Sequence, residues 1–193
     1  ASAQGEAAPA HAEAAEDPGA PSVAGLERSH EEIAQLLRAG ERLDEVPTLV
    51  VNAVFRWCDF SRVLLFVVET NRQAMQARAG IGHEAHKLLW RRRVPVREGA
   101  NEVFSHALFR GKNLVVEDSG SVRYRNRIPR WYRESLDAPA FLLHALTLYM
   151  QPVGLLYADR DDGGPLVAPR ERPLLDRMCT LVLRALRRQR ARG

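Results

Sequence analysis

Residues 141–160, FLLHALTLYMQPVGLLYADR, hold the longest nearly unbroken apolar text of the chain. Phe141–Leu148 and Val153–Ala158 each have strand length and are rich in Leu, Val and aromatic residues. Only Tyr149, Met150, Gln151 and Pro152 separate them, which predicts a central hairpin. Neither run alternates cleanly between apolar and polar residues, so both faces of the sheet should be covered by other elements. The polar run Asp159–Gly164 ends the second strand.

Working outward, the next strand signal is RVLLFVV at 62–68, followed through a turn at 69–72 by a weaker one at 74–79. These form a second hairpin. RRRVPV at 91–96 reads as an edge strand, because Pro95 cannot donate to a ladder and the arginines resist burial. NLVVE at 113–117 is a further short strand. Helical periodicity marks the segments between. Ser29 and Glu32 fit a capping box opening a helix to residue 39, with Ile33, Leu36 and Leu37 on one face. Pro47 suits the first turn of an amphipathic helix carrying Val46, Leu49, Val50, Ala53, Val54 and Trp57. Glu98–Arg110 is a short helix stopped by Gly111. Pro169 can open a closing helix whose stripe is Leu174, Leu175, Met178, Leu181, Val182 and Ala185. Arginines 184, 187, 188, 190 and 192 crowd its end, where basic residues suit the helix dipole.

The chain's 193 residues suit one domain with a tail, large enough to fold without disulfide or metal. Residues 1–28 are mostly Ala, Glu, Pro and Gly and read as a flexible linker, with residues 29–193 as the domain. Such a linker points to an upstream domain of a longer protein. The five carboxylates Glu6, Glu13, Glu16, Asp17 and Glu27 are the only charged side chains of residues 1–27, so the chain's net charge of +4 rests on the remainder. A basic domain suits nucleic acid, an acidic partner or an anionic ligand, and an arginine-rich composition gives the same balance with no such role. Cys58 and Cys179 are the only cysteines. Their distance apart and core-like flanks predict two buried, reduced thiols in a cytoplasmic protein. No apolar run approaches the ~20 residues needed to span a bilayer, and no membrane partner is expected.

The residues that could carry chemistry are few. Gly80-Ile81-Gly82 lacks the third glycine and the lysine of a phosphate loop. His83 and His86 lack further metal ligands nearby. Asp159, Asp161 and Asp162 precede Gly163-Gly164-Pro165, which reads as a turn with solvated carboxylates rather than a calcium loop. His106 and His144 lie on an apolar helix face and in a strand, as core histidines do. No catalytic residue, metal or cofactor is assigned. The irregular stretch 118–139 mixes aromatics with arginines, and a ligand site would sit here, using Asp118, Tyr124, Arg125, Arg127, Trp131 and Tyr132. Guanidinium forks match phosphate or carboxylate, and aromatic faces supply contact area. The alternative is that Trp131 and Tyr132 cap the core edge while the arginines lie in solvent. Aromatics interleaved with arginines at 123–133, together with the basic closing helix, also leave open a nucleic-acid-binding module.

The element order describes an α+β domain: a central antiparallel sheet of about six strands flanked by N- and C-terminal helices. RVLLFVV at 62–68, GKNLVVED at 111–118 and PVGLLYADR at 152–160 resemble a GAF domain, a regulatory module related in shape to PAS domains. The pairing of RWYRESL at 130–136 with PVGLLYADR is similar to the GAF-like region that follows the HDOD domain in bacterial signalling proteins. The resemblance implies a non-catalytic regulatory domain that binds a small ligand or serves as a dimerising scaffold, with an upstream domain of HDOD type. Helices 29–39 and 173–190 carry more apolar surface than a single sheet face needs, which predicts a homodimer formed through these terminal helices. The family's cyclic-nucleotide signature and bilin cysteine have no counterpart here. Its methionine sulfoxide reductases need several cysteines within reach of one another, which two distant ones do not supply.

Overall fold

A computed structural model describes residues 21–89, 93–164 and 166–191. Helices α1 (Val23–Ala39) and α2 (Val46–Trp57) precede the hairpin β1 (Arg62–Val68) and β2 (Ala74–Gly82). Then follow α3 (His86–Leu89), β3 (Arg93–Pro95), α4 (Val103–Arg110), β4 (Leu114–Val116) and α5 (Arg130–Ser135). The hairpin β5 (Ala140–Leu148) and β6 (Gln151–Arg160) and the closing helix α6 (Arg172–Arg190) complete the order. The strands form one six-stranded sheet in the order β3-β2-β1-β6-β5-β4, every neighbouring pair antiparallel. The α+β architecture read from the sequence is the one observed.

Both faces are covered, as the apolar text of β5 and β6 requires. On one face α1, α2 and α6 pack against Val63, Leu65, Leu142, Leu146, Leu156 and Ala158. On the other, α3, α4, α5 and the 118–139 segment cover Leu64, Phe66, Phe141, Leu143, Leu155 and Tyr157. Where β1 crosses β6 the approach is close: a methyl group added at Gly154 would stand 2.2 Å from the Phe66 carbonyl oxygen. Only glycine allows the two central strands to meet there.

Several boundaries differ from the sequence reading. Helix α1 begins at Val23, because the Ser22 hydroxyl accepts a hydrogen bond from the Gly25 amide at 3.1 Å. Residues 23–28, read as the end of a linker, are therefore helical, and Leu26 is buried. Ser29 does not cap; its hydroxyl accepts from Trp57 Nε1 at 3.0 Å and pins α1 to α2. Residues 1–20 lie outside the described residues, as do Arg91 and Arg92 of the expected edge strand. Helix α4 starts at Val103, whose amide donates to the Arg127 carbonyl at 3.0 Å. Gly80-Ile81-Gly82 continues β2. Pro173 rather than Pro169 stands in the first turn of α6. The expected separator 149–152 is a two-residue turn, Tyr149-Met150, since Leu148 pairs with Gln151. Both turn residues have positive φ, 50° and 63°.

The apolar stripe of α6 is consumed inside the domain: Leu174, Leu175, Met178, Cys179, Leu181, Val182 and Ala185 are all buried. The large hydrophobic residues exposed among the described residues are Val115, Val122, Tyr149 and Met150, on neither α1 nor α6. The surplus of apolar surface expected on the terminal helices is absent from them. No helix among the described residues is long and apolar enough to cross a membrane.

Candidate functional site

Strand alternation places Arg62, Leu64 and Phe66 on the face covered by α4 and α5, and antiparallel pairing sets Arg62 directly opposite Asp159. A charged pair therefore enters the apolar layer between the sheet and the 118–139 segment. Arg62 Nε donates to Asp159 Oδ2 at 2.7 Å, and both side chains are buried. The same guanidinium donates through Nη1 to the His83 carbonyl at 3.0 Å and through Nη2 to the Leu136 carbonyl at 3.1 Å. Tyr157 O–H donates to Asp159 Oδ2 as well. Tyr132 O–H donates to the Ala138 carbonyl at 3.0 Å and lies 3.3 Å from the Tyr157 oxygen. The network ties β1 and β6 to the turn after β2 and to the segment after α5.

Electrostatics fix the protonation of this network. Burial raises both phenols above the ordinary tyrosine value, so they remain donors. Burial also holds the Asp159 carboxyl above the usual carboxylate range, opposed by the hydrogen bonds and charge of Tyr157 and Arg62. Asp159 Oδ1 and Trp131 Nε1 are buried without a partner among the described residues. With its guanidinium, phenols and one carboxylate oxygen engaged in mutual bonds, the cluster bolts β1 and β6 to the segments that cover them.

Around the bolt the face is filled by aromatic rings. Phe104 stands 4.7 Å from Trp131, 5.6 Å from Tyr132 and 5.7 Å from Phe141, centroid to centroid. Tyr132 lies 4.9 Å from Phe141. Tyr132 thus belongs to the core, Trp131 packs half-buried against it, and Tyr124 is buried beside them. The other residues singled out from the sequence point elsewhere. Asp118 is exposed, its carboxylate accepting from the Gly120 amide at 2.9 Å. Arg125 is exposed, and its carbonyl accepts from Arg133 Nη2. Arg127 donates to the Asn101 carbonyl at 2.9 Å. The six residues do not converge on one site. Arg125 and Arg133 share a surface cleft of about 310 Å³ with Ser119, Asn126 and Asp137.

Asp159, Asp161 and Asp162 do not behave as the uniform solvated turn expected. Asp159 is buried in the sheet because β6 runs to Arg160, whereas Asp161 and Asp162 are exposed. The Asp162 carboxyl is held down to about 2, first by its hydrogen bond from Arg160 and then by that from the Gly164 amide. No group of three or more His, Cys, Asp or Glu side chains among the described residues could hold a metal ion. Cys58 and Cys179 are free and buried. Burial pushes the Cys58 thiol up to about 12 and raises that of Cys179 as well.

The bolt was missed in the sequence. Its signal was there: Arg62 shares a strand face with Leu64 and Phe66, and Asp159 shares one with Leu155 and Tyr157. Antiparallel pairing of the two most apolar strands brings opposite charges face to face.

No family model matches the chain, and no curated protein does. Solved structures do. The GAF domain of a phosphoenolpyruvate-protein phosphotransferase from Coxiella burnetii superposes with a TM-score of 0.71 at 16% identity, covering 88% of this chain and 97% of that one. Residues 122 to 287 of a methyl-accepting chemotaxis protein give 0.68 at 14% identity, covering 83% and 95%. The free methionine-R-sulfoxide reductase of Neisseria meningitidis, solved with its substrate, gives 0.66 at 14% identity, covering 88% and 90%. At these identities the likeness establishes a shared GAF fold.

Proposed function

We propose that this chain is a non-catalytic regulatory domain of a signal-transduction protein. The observation that carries the reading is the filled aromatic face: Phe104, Trp131, Tyr132, Phe141 and Tyr157 occupy the layer between sheet and 118–139 segment, and beneath them Arg62, Tyr132, Tyr157 and one oxygen of Asp159 are held in hydrogen bonds within the protein. Similar folds occur in a phosphotransferase GAF domain and a chemotaxis protein. The reductases that share the fold mark the catalytic alternative. Thiol chemistry needs a thiolate within reach of a second cysteine, and both thiols here are buried in the helical layer with raised pKa.

The output path in this reading is the helical layer. Arg188 Nη1 donates to the Leu37 carbonyl and Gln189 Nε2 to the Leu43 carbonyl at 2.9 Å, so a shift of α6 is felt at the end of α1. With no large hydrophobic residue exposed on α1 or α6 among the described residues, a dimer through the terminal helices would start from the cleft of about 450 Å³ between α1 and α2, at the half-buried Leu49 and Trp57. An HDOD neighbour rests on the sequence resemblance alone. Nucleic-acid binding gains no support: stacking needs exposed rings, and Tyr124 and Tyr132 are buried.

Two measurements test the proposal. Light scattering at high protein concentration should give a dimer mass, and a monomer would remove the dimer. A thermal-shift screen of metabolites, followed by NMR of each stabilising compound, should find binding without consumption. Turnover of any hit would overturn the non-catalytic assignment.

A further inference from the structure

The edge strand β4 pairs only with β5, and Val115 stands opposite Leu142. Alternation turns Val115, Leu142 and His144 toward α6, on the face away from the aromatic layer. Val115 remains 38% exposed, because among the described residues none roofs the edge between it and the first turns of α6. Two cavities of about 240 Å³ each adjoin there, sharing Val115, Val167 and Arg172. Each falls below the roughly 300 Å³ at which drug-sized pockets begin, and the pair together lies at the small end of that range, so the groove suits a metabolite rather than a large cofactor.

Its lining combines an apolar wall with one arginine shared by the two cavities, and each cavity has a carboxylate of its own, Asp176 in the first and Glu117 in the second. Val115, Leu142, Val167 and Leu175 form the wall. Arg172 stands in the first turn of α6, exposed and with no ion pair or hydrogen bond from its side chain among the described residues. The amino-terminal end of a 19-residue helix adds a favourable potential for an anion. His144 Nδ1 lies 3.4 Å from Asp176 Oδ1, which turns that carboxylate toward the imidazole. Glu117 lines the second cavity, where it would repel a second carboxylate and accept an ammonium group.

We propose that this groove between the β4–β5 edge and α6 binds a small organic carboxylate of amino-acid size, its head on Arg172 and its apolar body against Val115, Leu142, Val167 and Leu175. Free acid and amino acid share this chemistry and differ only in whether Glu117 is used. The site goes beyond the regulatory reading and is tested apart from it. Binding is read on the groove itself, and the oligomeric state plays no part.

The experiment is a ¹H–¹⁵N titration of the full chain with 4-methylpentanoate, L-leucine and isopentylamine at millimolar concentration. The first two, or leucine alone if Glu117 is required, should shift amides of residues 113–117, 142–144 and 166–176 saturably. Isopentylamine, which lacks the carboxylate, should not. Arg172→Gln should weaken binding by about tenfold, the loss expected for a charge-assisted contact, and Val115→Trp should abolish it by filling the groove. Both positions are exposed, so both variants fold. Absence of saturable shifts for both acids, equal shifts with the amine, or unchanged affinity in Arg172→Gln would overturn the site.

Discussion

Arg62 and Asp159 face each other across the two central strands, Nε 2.7 Å from Oδ2, and neither side chain reaches solvent. Removing one partner leaves the other charge buried and uncompensated, which costs about 3–5 kcal/mol. Arg62→Met should therefore lower stability by roughly that amount in urea unfolding. The double variant Arg62→Met/Asp159→Leu should recover a large part of it. If the losses of Arg62→Met and Asp159→Leu measured singly sum to that of the double variant, the two residues are not coupled.

His144 supplies a pH dependence. Burial lowers its pKa below 6.5, and the Asp176 carboxylate opposes the shift. The unfolded chain therefore binds a proton at higher pH than the folded one, and stability must fall as pH drops from 6.5 through the folded value. Denaturant midpoints measured across that window should decline, and His144→Gln should flatten the decline. Asp176→Asn should move the imidazole titration, followed by NMR, further down.

Gly25 sits where α1 crosses α2, and a methyl group there would lie 2.4 Å from Trp57 Cε3. In an exposed helix Gly→Ala stabilises by up to about 1 kcal/mol. At this position overpacking reverses the sign, and Gly25→Ala should cost about 1–3 kcal/mol. A rise in the thermal midpoint would show that the indole yields freely.

Tyr149 and Met150 occupy the β5–β6 turn with positive φ and are 79% and 89% exposed. Such a turn favours Asn-Gly, because other side chains are strained in that backbone region. Replacing the pair by Asn-Gly should add about 1–2 kcal/mol. At about 2–4 °C per kcal/mol for a chain of this size, calorimetry should detect the gain. No gain would mean that the pair makes compensating contacts.

Much of the architecture was legible because its signals are local. The runs at 62–68 and 141–160 announce two hairpins, and their lack of alternation announces two covered faces. The register is not local: a separator read as Tyr149–Pro152 hides a two-residue turn, since Pro152 looks like a breaker although it pairs with Thr147. Ser29 and Glu32 matched a capping pattern, but the hydroxyl was taken by Trp57, 28 residues away. In the 118–139 stretch the sequence showed rings and guanidinium groups without their directions. The rings turned inward and the arginines outward, so the residues proposed as one site were divided between core and surface. The pairing of Arg62 with Asp159 escaped notice, and Asp159 was read as a solvated turn carboxylate, because each sits at the end of an apolar run, where a charge ordinarily marks the return to water.

The two edge strands β3 and β4 are three residues long, whereas β1 and β6 lie inside the sheet beneath both packed layers. Amide protons of the central pair can meet solvent only when the whole domain opens, while those at either margin exchange through local fraying. Deuterium uptake should therefore advance from both flanks toward the middle. A ligand lodged beside β4 would be felt first where the fold is loosest.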